Sequence, residues 1–372
     1  MPLYHSSGSI LGCLLAFSAG ATLSLGKKFS RINFWNEVRS SHATVIQYVG
    51  ETCRYLLAAP PNIGPNGENL DKRNKVRAAY GNGLRPDVWD RFKERFDIPI
   101  IAEFYAATEG TGAAFNFCRN DFTKGAIGRN GMLKGLILQR KQAIVEVDWT
   151  IERPWRDPGT GFCKKVATGQ PGELLYSLDG TNIEEDFQGY LNDKKATEGK
   201  ILRDVLKSGD AYFRTGDVVI WDSEGRMYFS DRIGDTYRWR GENVSTNEIS
   251  DLLCYHPSVL EANVYGVQLP HHDGRAGCVA LILAEEPSPS LMASLAEHVL
   301  THLPRFAVPL FLRVMEDMER TGTNKQQKHV LRIQGVDPAK ATIGELYWLK
   351  DGSYLKFTAD NWEELNRGSV KL

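Results

Sequence analysis

The spacing of apolar residues changes along the chain and predicts where helices and strands alternate. Residues 34–58 carry apolar side chains at helical spacing on both sides of a strand-like run at 44–46, which predicts two helices around a strand. Residues 86–96 repeat the helical spacing and begin with a proline, which suits a first turn. Residues 72–80 and 98–105 have strand patterns. The first third of the chain therefore predicts a layered α/β domain.

Short alternating segments separated by glycine turns replace this pattern after residue 125. They predict a β-rich subdomain with strands at 136–139, 143–147 and 172–176. Two further predicted strands, 218–221 and 227–230, flank an Asp-Ser-Glu-Gly turn and form a hairpin.

A new unit begins at Gly234. It predicts helices at 247–254 and 290–300 and strands at 259–267, 278–283 and 310–314. We therefore predict two domains, residues 1–233 and residues 234–372.

Charge and cysteine content exclude some classes of function. The chain has 45 Lys and Arg against 46 Asp and Glu, and its formal net charge of −1 offers no overall attraction to nucleic acid or to an anionic membrane. Its six cysteines lack the C-x-x-C spacing of metal sites. We interpret them as buried free thiols in a reducing compartment.

The N-terminal segment is unusually apolar. No charged residue occurs between His5 and Lys27. A signal peptide would start with basic residues, and glycine, serine and threonine in this segment weaken the interpretation as a membrane span. We predict a buried helix followed by a strand; association with a membrane interface is the alternative.

The segment 212–248 carries the most specific chemistry. Asp217 follows a Thr-Gly turn, from which a carboxylate can accept hydrogen bonds from two neighbouring sugar hydroxyls. The predicted hairpin then brings Asp231 and Arg232 next to the same pocket. A structural ion pair of Arg232 with Asp231 or Asp235 is the alternative.

Two turns follow apolar strands, at the strand ends where α/β sheets bind ligands. The Gly-Asn-Gly turn at 81–83 lets the backbone approach a flat base. In the Tyr-Ala-Ala-Thr-Glu-Gly turn, Tyr105 offers a stacking face, Thr108 a hydroxyl for a phosphate, and Glu109 an oxygen ligand suited to Mg²⁺. A core tyrosine beside a capping Thr-Glu pair is the alternative.

Together these motifs resemble those of the adenylate-forming (AMP-binding) ligases. Thr-Gly-Asp at 215–217, Asp-Arg-Ile-Gly-Asp-Thr at 231–236 and Trp-Arg-Gly-Glu-Asn-Val-Ser-Thr at 239–246 are similar to the fatty acid transport protein/very-long-chain acyl-CoA synthetase branch. The resemblance covers nearly the whole chain. It implies an α/β fold in which part of a large adenylate-forming domain, residues 1–233, precedes a smaller, mobile α+β domain.

The resemblance also implies roles for single residues. Gly81 and Gly83 would lie against adenine, with Tyr105 stacked on it. Thr108 would lie near the α-phosphate, and Glu109 would bind magnesium.

Further roles follow from the same resemblance. Asp217 and Arg232 would hold the ribose hydroxyls. Gly234 aligns with the pivot between the domains, where many relatives have Lys or Asp, and a glycine absorbs large backbone rotations easily. Gly241 matches the turn beside the pantetheine tunnel. Lys325 would be the catalytic lysine of a mobile loop, although Asn324 precedes it where many ligases have glycine.

His5 aligns with a residue beside the acyl pocket in this superfamily and is a candidate gate for the fatty-acid channel. A structural histidine is the alternative. The Ser/Thr/Gly-rich loop that cradles the β- and γ-phosphates in this family is not found in the sequence. We interpret the chain either as a fragment or mispredicted start, or as a shortened relative with reduced or lost catalysis.

The resemblance implies an ATP-dependent acyl-CoA synthetase for long or very-long-chain fatty acids, with ATP, Mg²⁺ and coenzyme A as cofactors and a possible role in fatty acid uptake. Two alternatives are a CoA ligase for a bulkier acid in secondary metabolism and a non-catalytic lipid-transport or lipid-binding homologue. The branch is associated with endoplasmic reticulum, peroxisome and lipid-droplet membranes, and the C-terminal Ser-Val-Lys-Leu partly matches a peroxisomal signal.

Overall fold

The computed structural model describes residues 3, 5–131, 141–320 and 327–368. These residues form two compact units. The first comprises the described residues up to Asp148 together with Arg153–Phe229, and the second comprises Trp149–Glu152 and the described residues from Ser230 onward. Both units combine helices with sheets, so the predicted α/β class is confirmed.

A four-stranded sheet with the order β1-β2-β3-β4 begins the first unit. Its strands are β1 (Val45–Val49), β2 (Ala78–Asn82), β3 (Ile101–Ala106) and β4 (Ala113–Cys118). β1, β2 and β3 are parallel, and β4 returns antiparallel to β3. Parallel neighbours need crossover connections, and the Gly50–Ala58 and Pro86–Phe96 helices lie in these two crossovers. The carboxyl ends of β2 and β3 therefore meet at one edge of the sheet.

Aromatic side chains fill the core beside this sheet. Trp89, Phe92 and Phe96 follow one another at three- and four-residue spacing on the Pro86–Phe96 helix, and all three are fully buried. Trp35, from the helix before β1, stacks on Phe96 with the ring centroids 4.4 Å apart. This packing fixes the helix between β2 and β3, and with it the turns at their ends.

A six-stranded, mainly antiparallel sheet completes the first unit. Five strands have the order β5-β12-β11-β9-β6, and β10 also pairs with β11. Their bounds are β5 (Gly128–Arg129), β6 (Gln142–Val145), β9 (Pro171–Leu178), β10 (Ile201–Arg203), β11 (Ala211–Trp221) and β12 (Arg226–Arg232). The last three residues of β12, from Ser230, are counted with the second unit. A separate ribbon pairs β7 (Val147–Asp148) with β8 (Arg153–Pro154).

Short helical segments make up much of the remainder of the first unit. They are the π-helical Ser7–Leu14, the α-helices Leu15–Ser18, Phe34–Ser40, Ile183–Asp186 and Lys194–Gly199, and the 3₁₀ turn Asp121–Thr123.

The second unit is built on a five-stranded sheet with the order β15-β16-β17-β18-β19. Its strands are β15 (Val259–Gln268), β16 (Arg275–Leu283), β17 (Phe311–Val314), β18 (Glu345–Lys350) and β19 (Ser353–Lys356). A small hairpin joins β13 (Tyr237–Trp239) to β14 (Glu242–Val244). The helices are Thr246–Cys254, Pro289–His302, His329–Gln334 and Ala359–Asn366.

The predicted strand at 72–80 is shorter in the structure and begins only at Ala78. The side chain of Asn74 donates to the carbonyl oxygen of Phe96 at 2.9 Å and accepts from the amide of Val76 at 2.9 Å. Such local side-chain bonds replace a strand ladder. The strand predicted at 136–139 lies outside the described residues, and the domain boundary at Gly234 stays a prediction.

The N-terminal segment is helical, but the prediction of a buried helix followed by a strand is wrong. Ser7, Gly8 and Gly12 face inward, and no strand forms among the described residues 19–33. Small residues make this contact because Gln47 comes close, donating to the carbonyl oxygen of Ser7 at 2.6 Å. The large apolar side chains instead face outward, namely those of Ile10, Leu14, Leu15 and Phe17.

Among the described residues, no helix has the length and apolar character needed to cross a membrane. The six cysteines are free thiols, as the sequence predicts. Five of them are buried, which also agrees with the prediction, whereas Cys13 is half-buried.

Candidate functional site

The Gly-Asn-Gly segment predicted as a turn is held from the neighbouring strand. Its first two residues, Gly81 and Asn82, are the end of β2, and the chain leaves the strand only at Gly83. Gly83 and Leu84 donate their amides to the Glu103 carboxylate at 3.0 and 3.2 Å, and the Tyr48 hydroxyl donates to the same group. Gly83 has a positive φ of 75°, and a Cβ on Gly81 would lie 2.1 Å from the Tyr48 carbonyl oxygen. Both glycines are therefore required by the backbone geometry.

Glu103 is a residue that the sequence analysis missed. Only 3% of it is exposed, and burial raises the pKa of its carboxyl to about 8, although its three hydrogen-bond donors act in the opposite direction. A glutamate inside the apolar run 98–105 was the available signal. Its function in the structure is to tie the turn after β2 to β3.

Tyr105 and Asp217 are 112 residues apart in the chain and meet directly. The Tyr105 hydroxyl donates to Oδ2 of Asp217 at 2.6 Å. Asp217 is 5% exposed, and Tyr105 is half-buried at the end of β3. Burial, and next the charge of Asp217, raise the pKa of the Tyr105 hydroxyl, so it stays a donor at physiological pH.

Asp217 lies within a bulge of β11 rather than after the predicted tight turn. The register of β11 against β9 shifts between Arg214 and Val218, and Gly216 in the bulge has a φ of 78°. The Thr215 hydroxyl accepts from the Asp217 amide at 3.0 Å. The bulge re-aims the Asp217 side chain towards Tyr105.

A buried carboxylate on β9 supports this bulge. Glu173 is fully buried and accepts from Nε of Arg214 at 2.8 Å and from the amide of Gly216 at 3.0 Å. Burial raises the pKa of Glu173, and the charge of Arg214 opposes that rise. The sequence analysis missed Glu173 and Arg214, which carry no motif of their own.

The Thr-Glu-Gly turn after β3 places Thr108 and Glu109 at the same edge of the sheet. Thr108 is exposed and Glu109 half-buried. Tyr190 donates its hydroxyl to Oε1 of Glu109 at 2.9 Å, and burial together with this hydrogen bond raises the pKa of Tyr190 to about 12. Tyr190 therefore orients the carboxylate, a role that the sequence analysis did not anticipate.

Three candidate residues lie in the second unit and are described within it. Arg232 is exposed, and its amide donates to Oδ1 of Asp231 at 2.8 Å. Gly234 is exposed, with no atom within 4 Å of where a Cβ would stand. Gly241 and the preceding Arg240 form the two-residue turn between β13 and β14, with φ values of 85° and 54°. Positive φ at both positions is the geometry of a type I′ hairpin turn, which favours glycine.

Asp231 caps a helix in the second unit. Its buried carboxylate accepts from the amide of Thr246 at 2.5 Å and from the Ser245 hydroxyl at 3.1 Å, at the start of the Thr246–Cys254 helix. Burial raises the pKa of Asp231, and the charge of Lys328 opposes this. The structure thus gives Asp231 a structural role.

Two candidates remain. Nδ1 of His5 accepts from the amide of Ser7 at 3.1 Å, so His5 caps the start of the N-terminal helix. Lys325 lies outside the described residues.

Two family profiles match the chain. One, described as AMP-binding enzyme, covers residues 1–181, and the other, described as AMP-binding enzyme C-terminal domain, covers residues 248–325. The chain belongs to the AMP-binding enzyme family.

Relatives within this family are similar over the whole chain. A very long-chain fatty acid transport protein of Cochliobolus heterostrophus is 41% identical across 100% of this chain, which covers 57% of that protein. Isopenicillin N epimerase component 1 of Hapsidospora chrysogena is 39% identical across 100% of this chain, which covers 61% of that protein. The chain thus spans a little over half the length of these relatives.

The fold of this chain is also similar to the folds of solved structures. The ATP-bound MatB from Rhodopseudomonas palustris has a TM-score of 0.68 with 21% identity, over 90% of this chain and 58% of that one. The predicted fold class and the resemblance to AMP-binding ligases are confirmed.

The residues at the first unit's strand ends fit a magnesium ion bound together with a nucleotide. In the part of the chain that the structure describes, no group of three or more His, Cys, Asp or Glu side chains is arranged so that it could hold a metal ion. Mg²⁺ in nucleotide enzymes is held by one or two carboxylates, phosphate oxygens and waters. Glu109, half-buried and held in place by Tyr190, fits that requirement.

Proposed function

We propose that this AMP-binding protein is an ATP-dependent acyl-CoA synthetase that activates long or very-long-chain fatty acids through an acyl adenylate. The observation that carries the proposal is the contact between Tyr105 and Asp217, next to the glycine turn of β2. Three groups expected to read one adenosine are thus brought to one part of the first unit.

The adenosine site follows from the properties of these groups. Gly81 and Gly83 let the backbone approach the flat base closely, and the Tyr105 ring offers a stacking face. Asp217 accepts hydrogen bonds from the ribose hydroxyls, and its bond with Tyr105 fixes its orientation. In this proposal Arg232 is the second ribose-binding residue.

The phosphates are contacted at the neighbouring turn. Thr108 donates its hydroxyl to the α-phosphate. Glu109 holds Mg²⁺, which neutralises negative charge on the phosphate oxygens of ATP. The exposure of Thr108 and the orientation of Glu109 by Tyr190 support both roles.

The second domain, proposed as residues 234–372, provides the remaining groups. Lys325 stabilises charge that builds up on the α-phosphate and the carboxylate oxygens during adenylation. The domain then rotates about Gly234, and Gly241 lines the path of the pantetheine arm to the adenylate. The coenzyme A thiol then attacks the acyl carbon, and AMP leaves. The acyl adenylate is a mixed anhydride, and forming it is what turns an unreactive carboxylate into an acyl donor.

The acyl group distinguishes two candidate substrates. The similarity to a very long-chain fatty acid transport protein favours a fatty acid, whose uptake would follow from trapping as the thioester, with His5 beside the acyl channel. The nearly equal similarity to isopenicillin N epimerase component 1 favours a bulkier acid of secondary metabolism.

Peripheral membrane association forms part of the fatty-acid proposal. The exposed apolar side chains of the N-terminal helix, including Ile10, Leu14 and Phe17, suit an interfacial contact. A location at the endoplasmic reticulum, peroxisome or lipid droplet is proposed from the resemblance alone. The four C-terminal residues lie outside the described residues.

Acyl adenylate formation tests the proposed function. The 372-residue protein is incubated with ATP, Mg²⁺ and a panel of long, very long and bulky carboxylic acids, and acyl adenylate and pyrophosphate are measured by mass spectrometry. With a long or very-long-chain acid, we expect one pyrophosphate to be released for each acyl adenylate formed. Preference for a bulky acid would support the second candidate, and AMP binding without turnover of any acid would support a non-catalytic homologue.

A further inference from the structure

Residues 328–332, at the end of the proposed lysine loop and in the helix after it, are attached to the segment that contains the proposed pivot. Lys328 is the last residue of the segment 320–328 that resembles that loop, and its side chain is 17% exposed. Its ammonium group donates to the Thr246 hydroxyl at 2.8 Å and lies 3.6 Å from Oδ2 of Asp235. All three residues belong to the second unit.

Arg332, in the helix that follows Lys328, makes a second attachment to the segment around Gly234. It lies four residues after Lys328 on the His329–Gln334 helix, so the two side chains lie on one face. Nη1 of Arg332 donates to the carbonyl oxygen of Gly234 at 3.0 Å. Nη2 donates to the carbonyl oxygen and to Oδ1 of Asp235, both at 3.2 Å.

A buried carboxylate anchors this network. Thr246 is 1% exposed and donates its amide and its hydroxyl to Asp231, which is 2% exposed. Lys328 thereby reaches both carboxylates that flank Gly234, Asp235 directly and Asp231 through the Thr246 hydroxyl. The charge of Lys328 also opposes the rise in the pKa of Asp231 that burial causes.

We propose that Lys328 and Arg332 are positioning residues that fix the segment around Gly234 to the start of the His329–Gln334 helix. This inference rests on the proposed function, which assigns the pivot to Gly234 and catalysis to Lys325. Lys328 and Arg332 touch no reacting atom in this account. Any effect on catalysis would pass through Lys325, which precedes Lys328 by three residues in the chain.

The arrangement differs from an ordinary surface ion pair. Exposed pairs contribute little because two long side chains must be ordered in water. Here Arg332 binds two backbone carbonyl groups as well as a carboxylate, and Lys328 is mostly buried. Hydrogen bonds to the carbonyl oxygens of Gly234 and Asp235 hold the backbone on the C-terminal side of the pivot to the His329–Gln334 helix, which a pair between two side-chain tips would not do.

Hydrogen exchange on the full chain tests the attachment without any requirement for activity. In Lys328→Met with Arg332→Gln, amides of residues 234–236 and 329–334 should exchange about tenfold faster or more, because local opening loses these bonds. Lys340→Met, which removes an exposed lysine paired with Asp337 in the same unit, should leave those amides unchanged. Unchanged exchange in the double variant would overturn the proposal.

Half-reaction rates test the positioning role. The double variant should form acyl adenylate about tenfold more slowly, since misplacement of a catalytic group is costly, while thioester formation from supplied acyl adenylate stays within about threefold. Arg332→Lys, which keeps the charge, should recover part of the adenylation rate. Equal loss of both half-reactions would overturn the role. If the unaltered chain forms no adenylate, the proposed function fails, and the exchange result still decides whether the attachment exists.

Discussion

The hydroxyl of Tyr105 donates to the carboxylate of Asp217 at 2.6 Å, across 112 residues of sequence. Tyr105 is the second-last residue of β3 in the four-stranded sheet, and Asp217 lies in a bulge of β11 in the six-stranded sheet. One hydrogen bond thus joins the two sheets of the first unit at the proposed adenosine site. Both side chains are needed for the geometry that the proposed function assigns to them.

Tyr105→Phe separates stacking from orientation. The ring remains, so adenine keeps its stacking face, but Asp217 loses its donor. We expect AMP affinity to fall by about tenfold, the value of one hydrogen bond to a charged group. Titration calorimetry measures this, with Tyr255→Phe, an exposed tyrosine of the second unit, as the control. AMP affinity equal to that of the unaltered protein would show that the hydroxyl does not contribute to the site.

Lys325→Ala separates the two half-reactions. We expect acyl adenylate formation to fall about a hundredfold or more, because a preorganised charge at the α-phosphate is lost. Thioester formation from supplied acyl adenylate should be nearly unaffected, since that step needs no charge there. Stopped assays of each half-reaction measure the two rates, with Lys340→Ala as the control. Equal loss of both rates would contradict the assignment of Lys325.

Glu103→Gln should change how stability depends on pH. The pKa of Glu103 is about 8 in the folded protein against 4.5 for an ordinary glutamate, so the folded state binds more protons between these values. The stability that protonated Glu103 contributes is complete below about pH 4.5 and is lost as the pH rises to about 8. Over this range the free energy of unfolding therefore falls by a few kcal/mol. Glu103→Gln removes this part of the slope.

Urea unfolding between those pH values measures the difference between the Glu103→Gln and unaltered proteins. Glu94→Gln, an exposed position on the Pro86–Phe96 helix, is the matched control. Parallel stability curves for Glu103→Gln and the unaltered protein would refute the prediction, whatever the absolute stability of the variant.

Gly81→Ala should destabilise the carboxyl end of β2. Its methyl carbon would lie 2.1 Å from the carbonyl oxygen of Tyr48 in β1, a backbone atom that cannot rotate away. We expect a loss of roughly 2 kcal/mol or more in the free energy of unfolding, together with weaker AMP binding. Gly199→Ala has no atom within 4 Å of the new carbon and serves as the control. Thermal unfolding of both variants decides, and an unchanged transition for Gly81→Ala would be evidence against the tight approach.

The sequence predicts the parts of this site better than the connections between them. Tyr105, Glu109 and Asp217 stand in motifs that the sequence alone makes recognisable. The contact of Tyr105 with Asp217 depends on how two sheets pack, which local periodicity does not encode. Glu103 and Tyr190 belong to no motif, because their role is to hold a turn and a carboxylate in place.

The secondary structure likewise has elements that the sequence predicts and contacts that it does not. The Pro86–Phe96 helix follows from its apolar spacing and its first proline, and the structure has it with those bounds. The N-terminal helix is apolar in sequence yet turns its small residues inward, because Gln47 needs close access to the backbone at Ser7. Side-chain size at a contact decided the orientation, and hydrophobicity alone gave the wrong one.

The affinity of the 372-residue protein for ATP and for AMP, each compared between the unaltered chain and Asp217→Ala, tests the central claim most directly. Both nucleotides share the ribose, so the account predicts that both bind the unaltered chain and that both affinities fall by a similar factor, about tenfold to a hundredfold. An AMP affinity that is undetectable in the unaltered chain, or unchanged in Asp217→Ala, would contradict the proposed adenosine site.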